Sequence, residues 1–344
     1  MSKQRASRRS RPLTQTPGGR QKITGKAWWP WLKRGAAAAF FVLVATLLVS
    51  RARTIEWDQV LLSLQQYPLT AVWSAVGLAV ASFALYSCFD LLGRRYTGHT
   101  LGAPAVMTVT FVSYAFNLNL GSLVGGVGFR YRLYSHLGLR TGVIARIMSL
   151  SMLANWMGYV ALAGLVFSLQ PLRLPASWPL DSMHLRLIGV ALLAAAAAYL
   201  GVCAFSRQRT LQVRGHTIDL PTFRMAGLQL LMGAANWLLM AGIIFMLLQQ
   251  RIAFSAVLSA LLLAAVAGVI TRIPAGLGVL EAVFVALFSQ QMPPHELLAA
   301  LVAYRLVYFI APLGVASLVY LVMEAKARQR GQAADNRDKT EFSR

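Results

Sequence analysis

Negative charge is scarce in this 344-residue sequence: 11 Asp and Glu stand against 33 Lys and Arg, and charged residues of both signs make up 13% of the chain. Soluble domains carry roughly 25%, so an ordinary soluble enzyme is excluded. The 57% hydrophobic content and the mean hydropathy of +0.57 say the same, and they exclude disorder for most of the chain. Cysteine is nearly absent. Cys88 and Cys203 both fall within apolar runs, without a CxxC partner or a nearby cluster of metal-ligand residues, which marks them as small apolar packing residues. The signatures of common catalytic sites are also missing: there is no GxSxG elbow, no GxxxxGK[ST] loop and no HExxH pair. His99, His136, His184, His216 and His295 are scattered without metal-ligand spacing. No cofactor and no metal is expected, and ATP-driven transport by the chain itself is not expected either.

What is present is apolar sequence in long runs. They cover 35–50, 70–92, 104–127, 144–169, 186–206, 225–249, 253–271, 274–291 and 298–323. A spanning helix needs about 20 mostly apolar residues, and the runs lack the alternation of barrel strands. Trp28, Trp29 and Trp31 precede the first run, and Trp57 and Trp178 lie between runs, where an interfacial aromatic belt places them. The first run follows a basic segment, as in a signal peptide. No A-x-A cleavage site follows it, and Ser50-Arg51-Ala52-Arg53 come next, so it reads as an uncleaved first helix.

The net charge of +22 points first to nucleic acid, but its distribution points to a membrane. Residues 1–34 hold ten Lys and Arg and no acid, and residues 325–344 hold six with three acids. Such tails attract anionic headgroups, and no nucleic-acid partner is expected. With both tails on one side, an even number of the nine runs must cross. If 104–127 enters and leaves on one side, the cytoplasmic face collects 27 basic residues and the outer face five. If 274–291 is the run that fails to cross, the split is 21 to 11. The positive-inside rule prefers the first arrangement. The sequence therefore predicts an all-α polytopic membrane protein with about eight transmembrane helices plus a re-entrant Gly-rich segment, and with both termini cytoplasmic. Its parts are a basic tail (1–34), a membrane domain (35–324) and a C-terminal tail (325–344).

The second half of 104–127 carries Asn117, Asn119, Ser122, Gly125, Gly126 and Gly128. Broken backbone at membrane depth is tolerated only where protein or a watery cavity satisfies it. A continuous helix whose glycines pack against neighbours is the other reading. A second break, with Pro274, Gly276 and Gly278, lies 150 residues after the first Gly-x-Gly. Interrupted helices at matching places in two halves mark the substrate site of many transporters.

Ionisable residues within apolar runs cost about 2.5–3.5 kcal/mol each on the insertion scale. Here they are Asp90, Arg146, Arg272, Glu281 and Arg305. Glu281 needs a cation or a proton, and Arg272 and Arg305 are its candidate partners. The pairing fits a polar cavity where arginines meet a phosphate; it also fits a structural pair that fixes helix packing. Asp90 precedes Arg94 and Arg95 at local-pair spacing. Arg130 and Arg132, flanked by Tyr131 and Tyr134, are candidates for an anionic headgroup. Asn155 and Asn236 suit helix–helix hydrogen bonds.

The stretches YSCFDLLGRRYTGH (86–99), YAFNLNLGSLVGGVGFRYRLYSHLGL (114–139), RIPAGLGVLEAVF (272–284) and AYRLVYFIAPL (303–313) resemble the YbhN-like group of bacterial inner-membrane proteins. The membrane region of that group is similar to the flippase domain of lysylphosphatidylglycerol synthases of the MprF type. The resemblance runs from about residue 35 to 325. It implies a lipid transporter or flippase of the bacterial inner membrane, acting on an anionic phospholipid or a lipid-linked headgroup. Arg272, Glu281, Arg305, Asn117, Asn119, Arg130 and Arg132 are the candidate binding residues. The soluble aminoacyl-transferase domain of those synthases has no counterpart here, so enzyme activity is not expected. The alternative is a non-transporting scaffold for cardiolipin-type phospholipid metabolism, with lipid-synthesis enzymes as partners.

Overall fold

Helix starts follow local chemistry. Gly102 and Pro104 open one helix, and the pair Pro293-Pro294 opens the last long one; proline in a first turn gives up an N–H that has no partner there anyway. Asp181 and Thr222 cap two others, accepting from the backbone N–H of His184 at 2.8 Å and of Met225 at 3.4 Å. The computed structural model describes residues 57–65, 67–169, 174, 181–206, 210–213, 216–271, 273 and 276–325. The N-terminal tail, the first apolar run, Arg272, Pro274 and the C-terminal tail from residue 326 lie outside the described residues.

In chain order the helices are α1 (Trp57–Gln65), α2 (Leu69–Ser87), α3 (Phe89–Thr97), α4 (Ala103–Leu120), α5 (Phe129–His136), α6 (Thr141–Leu169), α7 (Ser182–Phe205), α8 (Phe223–Leu247), α9 (Phe254–Thr271), α10 (Val279–Phe288) and α11 (Pro294–Arg305). Two π-helical segments, Ser122–Gly128 and Leu306–Ile310, lie between α4 and α5 and directly after α11. The last helix runs through the second of these to Ala325. Among the described residues, six helices are long and apolar enough to cross a membrane: Leu69–Thr97, Thr141–Leu169, Ser182–Phe205, Phe223–Leu247, Phe254–Thr271 and Pro294–Ala325.

Among the described residues the fold is all-helical apart from one short hairpin: Thr210–Val213 (β1) and His216–Asp219 (β2) pair antiparallel, with Thr210 opposite Asp219, in a polar stretch between α7 and α8 that has no apolar run to make a helix. One expectation needs correction: the described part of the run 274–291 does not form a full-length span. Its helix, α10, has ten residues and reaches about 15 Å, half of the roughly 30 Å hydrocarbon thickness. Gly276 and Gly278, at φ +56° and +77°, hold a left-handed backbone that helix cannot use, so α10 starts late.

Side-chain contacts fix the direction of each helix. The hydroxyl of Tyr67, just before α2, donates to the carbonyl of Leu247 at the end of α8. Arg251, just after α8, pairs with Glu296 in the first turn of α11. One end of the bundle thus gathers the start of α2, the end of α8 and the starts of α9 and α11. The other end gathers α3, the start of α4 and the start of α6, where Gly93 lies against Ile147. The chain reverses at Gly121 (φ +82°), and the π-helical segment folds back on α4, with Gly125 against the Phe116 carbonyl. Across this first hairpin Phe116 stacks on Phe129 at 3.9 Å. A second hairpin, α9 and α10, starts from the Tyr67 end. The two hairpins therefore enter from opposite ends.

Close backbone contact joins α6 to α8. A Cβ on Gly158 would overlap the Gly233 backbone, and one on Gly233 would overlap the Ala154 carbonyl. Small residues are what allow such an approach between apolar helices. Gly158→Leu is expected to destabilise the fold by about 2–3 kcal/mol or more, as overpacking does. Gly227→Leu, where the space is open, should be nearly silent. Thermal unfolding of the two variants in detergent compares them directly.

Candidate functional site

Arg305 is the last residue of α11, about 17 Å along the helix from Pro294. Its Nε donates to Glu281 Oε1 at 2.5 Å, and one terminal nitrogen donates to Glu281 Oε2 at 3.1 Å. The same nitrogen donates to the Gly276 carbonyl at 3.1 Å. The guanidinium also lies 5.4 Å from the Phe309 ring centre, within range of a cation–π contact. The side chains of Arg305 and Glu281 are 15% and 18% exposed. Of the two expected partners of Glu281, the structure gives it Arg305; Arg272 lies outside the described residues. A fork-to-fork pair of this kind is the geometry that a phosphate also satisfies, so an incoming phosphate would compete with Glu281 for the same donors.

The first hairpin reaches the next turn of the same helix. Asn119, one residue before its tip helix ends, donates to the Phe309 carbonyl at 3.1 Å and to Ala115 at 2.9 Å. The Phe309 carbonyl belongs to the π-helical segment Leu306–Ile310, where the usual i→i−4 ladder is broken. Asn117 is half-buried, with its Oδ1 against Gly126. The two Gly-rich breaks thus meet one helix within residues 305–309, and neither is plain α-helix.

Arg130 and Arg132 do not join this site. Arg130 is buried, its Nε 3.4 Å from Asp90 Oδ2, with the side chains 4% and 0% exposed. Asp90 also accepts from the Tyr134 hydroxyl at 2.8 Å. Asp90 therefore takes its partners from the returning arm of the first hairpin rather than from Arg94 or Arg95 on its own helix. Arg132 faces outward and bonds Glu324, near the end of the last helix, at 2.7 Å.

Sequence reasoning did not identify a chain of hydroxyls that ties four elements together. Tyr114 and Tyr308 hydroxyls are 2.9 Å apart, Tyr308 and Ser82 are 2.7 Å apart, and Ser82 donates to Asn236 Oδ1 at 2.7 Å. Each hydroxyl has one proton. Since Ser82 donates to Asn236, Tyr308 must donate to Ser82 and Tyr114 to Tyr308. Tyr86 stacks on Tyr114 at 3.5 Å and lies beside Arg130, so the chain ends next to the buried ion pair. Its only signal in the sequence was polar residues at helical spacing in apolar runs. Cys88 and Cys203 form no disulfide.

Comparison with known proteins places these features. Residues 35–316 match the family described as lysylphosphatidylglycerol synthase TM region. The chain is 44% identical over 302 residues to the inner membrane protein YbhN of Escherichia coli, covering 88% of this chain and 95% of that one. It is 32% identical over 297 residues to an uncharacterized protein of Synechocystis, covering 84% and 92%. A phosphatidylglycerol lysyltransferase of Staphylococcus haemolyticus is 26% identical over 304 residues, which cover 84% of this chain and 34% of that protein.

Proposed function

Since the chain belongs to the lysylphosphatidylglycerol synthase TM region family and is a multi-pass inner-membrane protein, we propose that it moves a phospholipid with an anionic headgroup between the two leaflets. It acts in this reading as a transporter and not as an enzyme. The observation that carries the proposal is the Arg305–Glu281 pair, held at the point where two broken hairpins from opposite ends reach the same helix. An ionisable pair inside a membrane bundle marks a substrate or proton path by default. Paired breaks of this type line the sites of repeat-built transporters. The headgroup phosphate takes over the Arg305 donors, and Glu281 is released to solvent or takes up a proton.

In this reading both hairpins are re-entrant. The bundle end with Arg94, Arg95, Arg130, Arg132, Arg140, Arg146 and Arg224 faces the cytoplasm, and the end with Arg186 and Arg251 faces outward. Both tails are then cytoplasmic.

The test uses the full chain, purified and reconstituted in liposomes. Fluorescent phosphatidylglycerol, cardiolipin and phosphatidylcholine are followed with and without a pH gradient. Protein-dependent movement of the two anionic lipids, several-fold above that of phosphatidylcholine, is expected. Folded protein that moves none of the three would overturn the reading.

A further inference from the structure

A cavity of about 270 Å³ lies at the bundle end opposite Asp90, between the α8–α9 turn, the start of α11 and the segment before α2. Tyr67, Gln249, Arg251 and Glu296 give it a polar wall, and Met292 and Ala299 a buried apolar floor. It is remote in the fold from Arg305: its charges sit at the first turn of the last helix and at the loop before α9. Arg251 and Glu296 pair with each other across its mouth, with side chains 52% and 33% exposed. The pair is thus within reach of solvent and of an incoming group.

The cap of α8 fixes one side of the wall: the N–H groups of Gln249 and Gln250 donate to the Met246 and Phe245 carbonyls, which holds both residues in left-handed backbone, at φ +51° and +60°. The Tyr67 hydroxyl is fixed by its bond to the Leu247 carbonyl, which leaves the oxygen able to accept from a ligand.

Depth identifies the occupant. Leu69 and Trp73, at the start of α2, are 74% and 70% exposed, as side chains in contact with lipid are; an exposed Trp at a helix end marks the interface. Tyr67, Arg251 and Glu296 lie just beyond that start, at headgroup level. The cavity is smaller than the ~300–1,000 Å³ of sites that enclose drug-sized ligands, so it admits a headgroup while acyl chains stay outside along Leu69 and Trp73. Its charge is balanced. A lone anion would meet the Glu296 carboxylate, and a lone cation would meet Arg251.

We propose that this cavity binds the headgroup of a zwitterionic phospholipid with a primary amine, its phosphate on Arg251 and its ammonium on Glu296. The headgroup replaces one intramolecular ion pair by two charge-assisted contacts between opposite charges. A trimethylated amine has no proton to donate to Glu296 and is discriminated against. The site is separate from the Arg305–Glu281 pair, and its test does not depend on lipid movement.

The purified full chain is titrated with phosphatidylethanolamine, phosphatidylcholine and phosphatidylglycerol of equal chain length, and bound lipid is counted by native mass spectrometry. The occupancy lost on Glu296→Gln is expected to be at least fivefold larger for phosphatidylethanolamine than for either other lipid, a difference from which any lipid held at the Arg305–Glu281 pair cancels. An equal loss for the three lipids, or no loss of phosphatidylethanolamine, overturns the proposal. If that variant does not fold, Gln249→Ala is used in its place and should lower phosphatidylethanolamine occupancy at least threefold; unchanged occupancy counts against the site. Soluble phosphoethanolamine is the further arm. Competition by it at concentrations equal to the lipid would overturn the assignment to a lipid and leave a water-soluble zwitterion as the ligand.

Discussion

Glu281→Gln is expected to slow movement of anionic lipid at least tenfold while leaving the protein folded. The substitution keeps the shape of the side chain and one acceptor oxygen, so Arg305 retains a hydrogen bond and the Gly276 carbonyl. It removes the charge. Hydrogen bonds to charged groups contribute about 1.5–3 kcal/mol, and a tenfold rate change corresponds to about 1.4 kcal/mol. Arg305→Lys should be as damaging, because an ammonium keeps the charge but not the fork that a carboxylate or phosphate engages at two points. A purely structural pair would behave differently. Exchanging the residues, Glu281→Arg with Arg305→Glu, restores attraction and should recover thermal stability. It should not recover lipid movement, because the guanidinium would then lie on α10, away from Phe309 and the Gly276 carbonyl. Full lipid movement by Glu281→Gln in proteoliposomes, or by the exchanged pair, would remove this site from the mechanism.

The sequence makes the long helices legible and the contacts between them much less so. Five apolar runs from residue 70 onward, 70–92, 144–169, 186–206, 225–249 and 253–271, find helix to within a few residues of their ends, because length and hydropathy decide whether a segment can lie in a bilayer. The run 274–291 misleads for a definite reason: hydropathy counts Ala275, Leu277 and Val279 as apolar without registering that Gly276 and Gly278 are left-handed. Glu281 could be matched in advance to Arg272 or Arg305, since a lone intramembrane acid needs a cation and few were at hand, and the structure pairs it with Arg305. Asp90 could not. Arg94 and Arg95 stand at the right spacing on its own helix, and only the reversal at Gly121 brings Arg130 and Tyr134 back to it. A chain reversal sets which side chains meet, and it leaves no periodic trace. The same holds for the hydroxyl chain, in which Ser82, Tyr114, Tyr308 and Asn236 come from four separate elements.

Removing either partner of the Asp90–Arg130 pair is expected to cost about 3–5 kcal/mol, the usual penalty for leaving one buried charge without the other. Both side chains are nearly inaccessible to water, so solvent cannot take the place of the lost partner. Asp90→Leu and Arg130→Met should each lower the unfolding temperature in detergent by many degrees. Asp90→Leu also frees the Tyr134 hydroxyl, which adds a buried donor without an acceptor. The double variant should be more stable than either single one, because two apolar side chains of similar volume need no mutual attraction to offset their dehydration. Arg132→Ala, by contrast, should change the unfolding temperature little, since Arg132 is half exposed and its pair with Glu324 is screened by water. Strictly additive losses in the double variant would mean that the two charges are stabilised by other groups and not by each other. Recovered stability without recovered lipid movement would mean something else: that the pair is retained for its charge, at the end of the Tyr114–Tyr308–Ser82 chain, and not for its contribution to the fold.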